Sequence, residues 1–345
     1  MSVKLASEMD ENQKQMTSVA PRQEGVWGVA LVGSGPASLT AAIYTTRGAA
    51  STIILGGEKW GGQLMLTTEI DNFPAHKGIQ GPDLMQKMRE HAESFGAKFI
   101  QKNVESVDFS KTPFELTVDG QKYLSKTVIL ATGAETRWLG VPGEDKLRGR
   151  GVSSCAPCDA PFFKNKNVVV IGGGDSAMEE ALVLVKYATS VTLVHRKDSF
   201  RASAAMQKKV LANPKIKVIW NTSVVEFKGD PSAGSGQGQK LGKIVLKDMK
   251  TNKTSEVIMD GAFVAIGHIP STKIFQGGGL ELDQKGYIVT HNNTKTNIPG
   301  VFVAGDVHDY HYKQAITAAG FGCMAGMDAV RYLDEMKQEE SGKTS

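Results

Sequence analysis

Cys155-Ala156-Pro157-Cys158-Asp159 puts two of the chain's three cysteines two residues apart, with an acid directly behind the second. On a tight turn or a helix start, sulfurs at this spacing can close a small ring, so that dithiol and disulfide interconvert. In a chain that also carries βαβ patterns, the spacing reads as a thiol–disulfide redox pair. Such an exchange takes up or releases a proton, and Asp159 is the acid/base candidate. Two alternatives stand beside this reading, half of a zinc site and a pair of unrelated buried thiols. A structural zinc site wants four N or S ligands, usually with a second Cys/His pair at metal spacing. Here the seven histidines are scattered. Cys323 lies among Gly320, Gly322 and Ala325, in a helical run where it reads as a buried packing thiol. The expected metal complement is none.

A redox pair needs an electron source, and the runs around it are built to hold one. Val29-Ala30-Leu31-Val32 is a short apolar strand followed at once by Gly33-Ser34-Gly35-Pro36-Ala37-Ser38 and a helical pattern through Tyr44. Strand, glycine turn and helix in that order make a dinucleotide fingerprint, with a merely tight turn as the alternative. The first glycine makes the turn, the second lets backbone approach a pyrophosphate, and the helix N-terminus faces the phosphates. Ser38 stands where a third glycine or alanine is expected. The strand Ser51–Leu55 leads to Gly56-Gly57-Glu58 and Gly61-Gly62-Gln63, where Glu58 is either a partner for an adenosine ribose or a solvated loop acid. After the cysteines the fingerprint recurs in complete form, Val168–Ile171 running into Gly172-Gly173-Gly174-Asp175-Ser176-Ala177. The next strand, Ser190–Val194, ends in His195-Arg196-Lys197, with Arg201 close behind. An acid at that strand end would accept from a ribose 2′-OH; Arg196, Lys197 and Arg201 instead suit a 2′-phosphate, which selects NADPH over NADH, with an exposed basic loop as the alternative.

Length and composition set the frame. A chain of 345 residues, 41% hydrophobic and 22% charged, has the make-up of a globular protein of about two domains. A net charge of +4 spread along the chain argues against nucleic acid or an anionic membrane as partner. No apolar run approaches the roughly 18 residues that would span a bilayer. Three cysteines do not make a secreted disulfide framework, so a reducing compartment, the cytoplasm, is expected. Residues 1–25 are rich in Lys, Glu, Asp, Gln and Ser, carry no sustained apolar run, and read as a disordered extension. Glu8, Asp10 and Glu11 speak against an organelle presequence there, with mitochondrial or plastid targeting left as the alternative. Asp230–Gln239 reads as a flexible surface loop.

Two dinucleotide folds and one cysteine pair make a coherent electron path. A flavin accepts a hydride from a nicotinamide and passes the electron pair to sulfur. At this point the chain resembles the low-molecular-weight thioredoxin reductases of bacterial, fungal and plant type, a class of the pyridine nucleotide-disulfide oxidoreductases, over nearly its whole ordered length. The segments that carry the resemblance are the two glycine turns, Gly61-Gly62-Gln63-Leu64, Ala131-Thr132-Gly133-Ala134, the Cys155–Asp159 run, His195-Arg196-Lys197, Phe200-Arg201-Ala202, Gly305-Asp306-Val307 and Gln314-Ala315-Ile316-Thr317.

The resemblance implies an α/β fold of two Rossmann-like, three-layer ββα dinucleotide-binding domains, the NADPH domain inserted into a discontinuous FAD domain. The boundaries it suggests are residues 26–137 and 270–345 for FAD and 138–269 for NADPH with the cysteines. Hinges would lie near Glu135–Leu139 and Gly267–Ser271. It implies that Cys158 faces the flavin, Cys155 attacks thioredoxin's disulfide and Asp159 is the acid/base. The FAD set it implies is Gly33, Ser34, Gly35, Pro36, Ala37, Glu58, Gly61, Gly62, Gln63, Leu64, Asn72, Val104, Thr132, Gly133, Gly305, Asp306, Lys313, Gln314 and Ala315, with Asp306 on the ribityl chain. The NADPH set is Gly172, Gly174, Asp175, Ser176, Ala177, His195, Arg196, Lys197 and Arg201. A homodimer and thioredoxin are the implied partners. The chain departs from the family pattern at Pro157 and Ala160 beside the cysteines, and at Lys197 and Lys313, which stand where arginine is usual. A flavin disulfide oxidase, a ferredoxin-fed reductase and a redox sensor are the rival readings. The intact second fingerprint with its cations argues against the first two, and the intact residues at all three sites against the sensor, which absence of NADPH-driven turnover would support.

Overall fold

The computed structural model describes residues 25–67, 69–230 and 239–342. The expected N-terminal extension, save Gly25, and the body of the expected 230–239 loop lie outside the described residues, as does the tip of the C-terminal tail. The chain divides into two compact units, one comprising everything up to Glu135 together with everything from Ile269 on, the other Thr136–His268. Described helices include none long and apolar enough to cross a membrane.

In chain order the first unit opens with β1 (Val26–Val32), α1 (Pro36–Arg47), β2 (Thr52–Leu55), α2 (Gly81–Ser94), β3 (Lys98–Ile100), β4 (Val104–Asp108), β5 (Phe114–Val118) and β6 (Gln121–Leu130). The second unit comes next with β7 (Val152–Ser153), α3 (Ala156–Asp159), β8 (Asn167–Ile171), α4 (Asp175–Leu184), β9 (Ser190–Val194), α5 (Ala204–Leu211), β10 (Ile216–Ile219), β11 (Thr222–Gly229), β12 (Leu241–Asp248), β13 (Thr254–Ile258) and β14 (Gly261–Val264). The first unit is completed by β15 (Val301–Val303) and α6 (Ala315–Gly342).

In the first unit β3, β2, β1 and the C-terminal half of β6 run parallel side by side, and β15 adds to β6 in parallel. The N-terminal half of β6 pairs antiparallel with β5, and β5 with β4. β1 is an unbroken apolar run because both of its faces are covered. Val29 and Leu31 enter a core shared with α1, α2 and α6, while Ala30 and Val32 enter a second core with β4, β5, Phe109 and Phe275. Alternate side chains on opposite faces thus bind three layers together, each fully buried Val or Leu contributing about 1.5–3 kcal/mol. α1 and α6 approach closely because their contact is made of small residues; a Cβ on Gly322 would be driven into the Ala37 carbonyl oxygen.

The second unit repeats the plan. Its five-stranded sheet runs β7-β14-β8-β9-β10, all parallel. Val168 and Val170 of β8 face a core with α4, whereas Val169 and Ile171 face a core with β11 and β12. β11, β12 and β13 form the antiparallel third layer.

Candidate active site

In the first unit the expected cofactor residues gather at the C-terminal ends of β1, β6 and β15, where the strand order reverses about β1. Open α/β sheets bind ligands at such a switch point. Gly33, at φ 121°, turns the chain off β1. A Cβ on it would collide with the Ala131 carbonyl oxygen, so the protein itself demands glycine here. Gly35 is different. It caps α1 at φ −77°, ψ −175°, backbone that any residue adopts, and a Cβ built on it meets nothing within 4 Å. The missing side chain leaves the backbone open to approach from outside, the opening that a dinucleotide pyrophosphate needs. Pro36 at the first helical position removes an N–H that α1 could not pair, and no acid occupies the first turn to repel a phosphate.

Around that helix start the other loops converge. A Cβ on Gly62 would lie 3.8 Å from the Gly35 Cα, and one on Gly305 would lie 3.0 Å from the Ala37 Cβ. Ser34 is buried, and its hydroxyl donates to the Gly56 carbonyl while accepting from Gly61 N–H at 2.9 Å, so it knits the two glycine loops together. The Gln63 amide donates to the Ala134 carbonyl, beside Thr132 and Gly133, and the Thr132 hydroxyl donates to the Ser271 carbonyl at 2.8 Å. Asn72 donates to the Gln314 side chain at 3.2 Å across 242 positions of sequence. Gln314 precedes α6 at Ala315, and the Thr317 hydroxyl accepts from its N–H and donates to its carbonyl. Glu58 is exposed, with its backbone N–H held by the Asn103 side chain; Val104 is buried as the first residue of β4. Burial and the like charge of Asp309 raise the Asp306 carboxyl to about 7, against the pull of Lys313. Burial also lowers the neighbouring His308 to about 4, Asp309 opposing the shift.

The second glycine turn obeys the same division. A Cβ on Gly172 would strike the Ala265 carbonyl oxygen, while Gly174 caps α4 in ordinary extended backbone with nothing within 4 Å of its Cβ position. Ala177 is fully buried behind the turn. The loop after β9 is fastened beside it: Arg201 N–H donates to the Gly173 carbonyl at 2.8 Å and Ser203 N–H to the Asp175 carboxylate at 2.8 Å. Arg196, Lys197 and Arg201 are exposed, and among the described residues none has an ion-pair partner. His195 is another matter. It is 6% exposed, lies against Phe200 and Trp220, and would collide with a Cβ on Gly173. Burial lowers its pKa. The imidazole is therefore a floor beneath the glycine turn, a role that its place at a strand end did not announce.

Cys155 and Cys158 form a disulfide at the start of α3, their Cα atoms 5.3 Å apart. Burial raises the pKa of Asp159, and a hydrogen bond from Ser153 opposes the shift. The Ser153 hydroxyl also accepts from Cys155 N–H at 3.1 Å, and the Glu180 carboxylate on α4 accepts from Ala156 N–H at 2.6 Å. Sequence reasoning missed Ser153, Glu180 and Asp309. Asp309 is buried and accepts from the N–H groups of His311, Tyr312 and Lys313, shaping the loop that enters Gln314. Cys323, expected as buried, is only partly so; it lies beside Tyr44 and 3.9 Å from the Met327 sulfur. The helix does bury Gly322 and Ala325, and Cys323 stands one step off that stripe.

Known proteins share this arrangement. Residues 27–322 match the family described as pyridine nucleotide-disulphide oxidoreductase. The chain is 49% identical over 319 residues to a thioredoxin reductase of Streptomyces clavuligerus, covering 91% of this chain and 96% of that one. It is 48% identical over 325 residues to a mitochondrial thioredoxin reductase of Arabidopsis thaliana, covering 90% of this chain and 84% of the relative. Among solved structures, thioredoxin reductase from Giardia duodenalis superposes with a TM-score of 0.84 at 39% identity, covering 90% of this chain and all of that one.

Proposed function

The chain belongs to the pyridine nucleotide-disulphide oxidoreductase family, and from that premise we propose how its residues divide the work of one reaction. That reaction is the reduction of thioredoxin's disulfide, with a flavin and a pyridine nucleotide in use. The observation that carries the reading is the disulfide of Cys155 and Cys158 with the hydrogen-bonded acid Asp159 behind it.

FAD is held by the first unit and NADPH by the second. Gly35 and the α1 N-terminus take the FAD pyrophosphate, Glu58 the adenosine ribose, and Asp306, Gln314 and Ala315 the ribityl and ring end. Gly174 and the α4 N-terminus take the NADPH pyrophosphate, while Arg196, Lys197 and Arg201 bind the 2′-phosphate. Bound together, the two cofactors supply hydride transfer and delivery of an electron pair to sulfur. Cys158 would take up that pair as the Cys155–Cys158 bond breaks to a dithiol. The Cys155 thiolate then attacks thioredoxin's disulfide, releasing one thioredoxin thiolate, and Cys158 attacks the mixed disulfide, releasing the second and closing the Cys155–Cys158 bond again. Asp159, its carboxyl raised by burial, returns and removes the protons of the exchange. A second copy of the chain covers the outer face of α6 and α1, where Tyr44, Ile316, Met324 and Met327 are each between 38% and 42% exposed. The cysteine usage suits the reducing cytoplasm.

The test is anaerobic titration of the yellow protein with NADPH, then with oxidised thioredoxin. NADPH is expected to bleach the colour and thioredoxin to restore it, and Cys155→Ser to abolish the restoration while keeping the bleaching. Equal efficiency of NADH would refute the role of Arg196, Lys197 and Arg201. No bleaching by either nucleotide would refute the reductase reading.

A further inference from the structure

The backbone of the Cys155–Asp159 turn has no N–H left to offer a sulfur. Cys155 N–H is taken by the Ser153 hydroxyl at 3.1 Å and Ala156 N–H by the Glu180 carboxylate at 2.6 Å. Pro157 has none. Cys158 and Asp159 N–H groups both donate to the Cys155 carbonyl, at 3.2 and 3.1 Å. Free amides at a helix start acidify a cysteine by stabilising its thiolate, and a reduced form so stabilised makes the pair oxidising. Here the opposite arrangement holds, and one of the amides is closed off by a negative charge, which itself disfavours a neighbouring thiolate.

We infer that Glu180 is a positioning residue that keeps the Cys155–Cys158 pair strongly reducing, by holding Ala156 N–H and placing a carboxylate at the first turn of α3. The inference rests on reading these cysteines as the redox pair. It also gives Pro157 a meaning: a residue with an N–H there would return a donor to the sulfurs.

The experiment equilibrates the full-length flavoprotein anaerobically in dithiothreitol buffers of graded ratio. In that exchange the protein disulfide gains two electrons and two protons to become the dithiol, which returns a proton to solvent to the extent that one sulfur is held as thiolate. Dithiothreitol loses two electrons and two protons to become its cyclic disulfide. Acid quenching, alkylation and mass measurement then count the thiols. Glu180→Gln keeps an oxygen for Ala156 N–H and removes the charge. It is expected to shift the equilibrium about tenfold toward dithiol, a midpoint about 30 mV more oxidising. Glu180→Asp, which keeps the charge, stays within about threefold of the parent on the same scale. Pro157→Ala shifts the equilibrium in the same direction as Glu180→Gln by a smaller factor, and serves if that variant does not fold. A ratio within about twofold of the parent for Glu180→Gln, or for Pro157→Ala in its place, overturns the proposal. A parent protein whose cysteines stay unreduced in every buffer overturns the redox reading of the pair itself.

Discussion

The two glycine turns share one plan and differ in their surroundings. In each, the first glycine, Gly33 or Gly172, is pressed against a carbonyl oxygen at the end of a neighbouring segment, Ala131 or Ala265. In each, the second, Gly35 or Gly174, has ordinary backbone angles and empty space where a side chain would be. The difference lies in the support beneath the turn and in the residues just beyond the second strand. The first turn is pinned through a serine hydroxyl to two further glycine loops, and its acid, Glu58, stands exposed. The second rests on an imidazole, and its second strand ends in three cations that have no acid partner among the described residues. One backbone solution is thus combined with two different supports and with residues of opposite charge beyond the second strand.

A methyl group on each glycine separates the two roles. Gly33→Ala meets backbone that cannot retreat and a φ that disfavours side chains, so its expected cost is roughly 3–5 kcal/mol of stability. Gly35→Ala should change the thermal stability of flavin-free protein by less than about 0.5 kcal/mol, since it touches no protein atom. It should nonetheless purify with most of its flavin lost. Gly172→Ala and Gly174→Ala are expected to divide in the same way, with NADPH binding as the second readout. Equal unfolding temperatures for the Gly33 and Gly35 variants would contradict the division of roles.

A smaller effect sharpens the other half. Removing both guanidinium groups with Arg196→Ala and Arg201→Ala should cut the preference for NADPH over NADH about 10²- to 10³-fold in kcat/KM, since each charge-assisted contact is worth about 1.5–3 kcal/mol and part of that remains with Lys197. The loss belongs to NADPH, with NADH turnover little changed. A uniform loss with both nucleotides would mean that the two side chains support the glycine turn and do not select the 2′-phosphate.

These features differ in how far the amino-acid sequence could reveal them. The two glycine turns and the cysteine pair were legible as structural features because each is defined by a few consecutive residues whose backbone angles and spacing set it. The strand-to-helix alternation was legible because both faces of β1 and β8 are buried. Ser153 and Glu180 were not, because their significance arises only when β7 and α4 pack beside α3. His195 was read with its charged neighbours although it faces inward, since a strand-end residue can turn to either side of the sheet. Cys323 was misread as buried because a small-residue run does not reveal which face of a helix is covered.

The smallest expected effect concerns two ionisable groups at the switch point of the first unit, Asp306 and His308. Asp306 is raised from 3.8 to about 7. Folded protein therefore holds a proton that the unfolded chain has released, and this contribution to stability is present at low pH and lost as pH rises through 7. His308, with a buried Nε2 that has no partner and a ring edge-on to Phe321 at 4.4 Å, is lowered from 6.5 to about 4. Its unfolded form binds the extra proton, so its contribution is present above 6.5 and lost as pH falls through 4. Each slope is at most about 1.4 kcal/mol per pH unit, and they oppose each other over nearly the same window. Flavin-free protein should accordingly show nearly constant stability in urea titrations between about pH 4.5 and 6.5, where the two slopes cancel. Asp306→Asn leaves the histidine alone, so stability should climb with pH across that range; His308→Gln leaves the aspartate, so it should decline. Variants that both remain flat would show that neither group is held away from its ordinary pKa, and that the switch point does not hold the two groups neutral over this range.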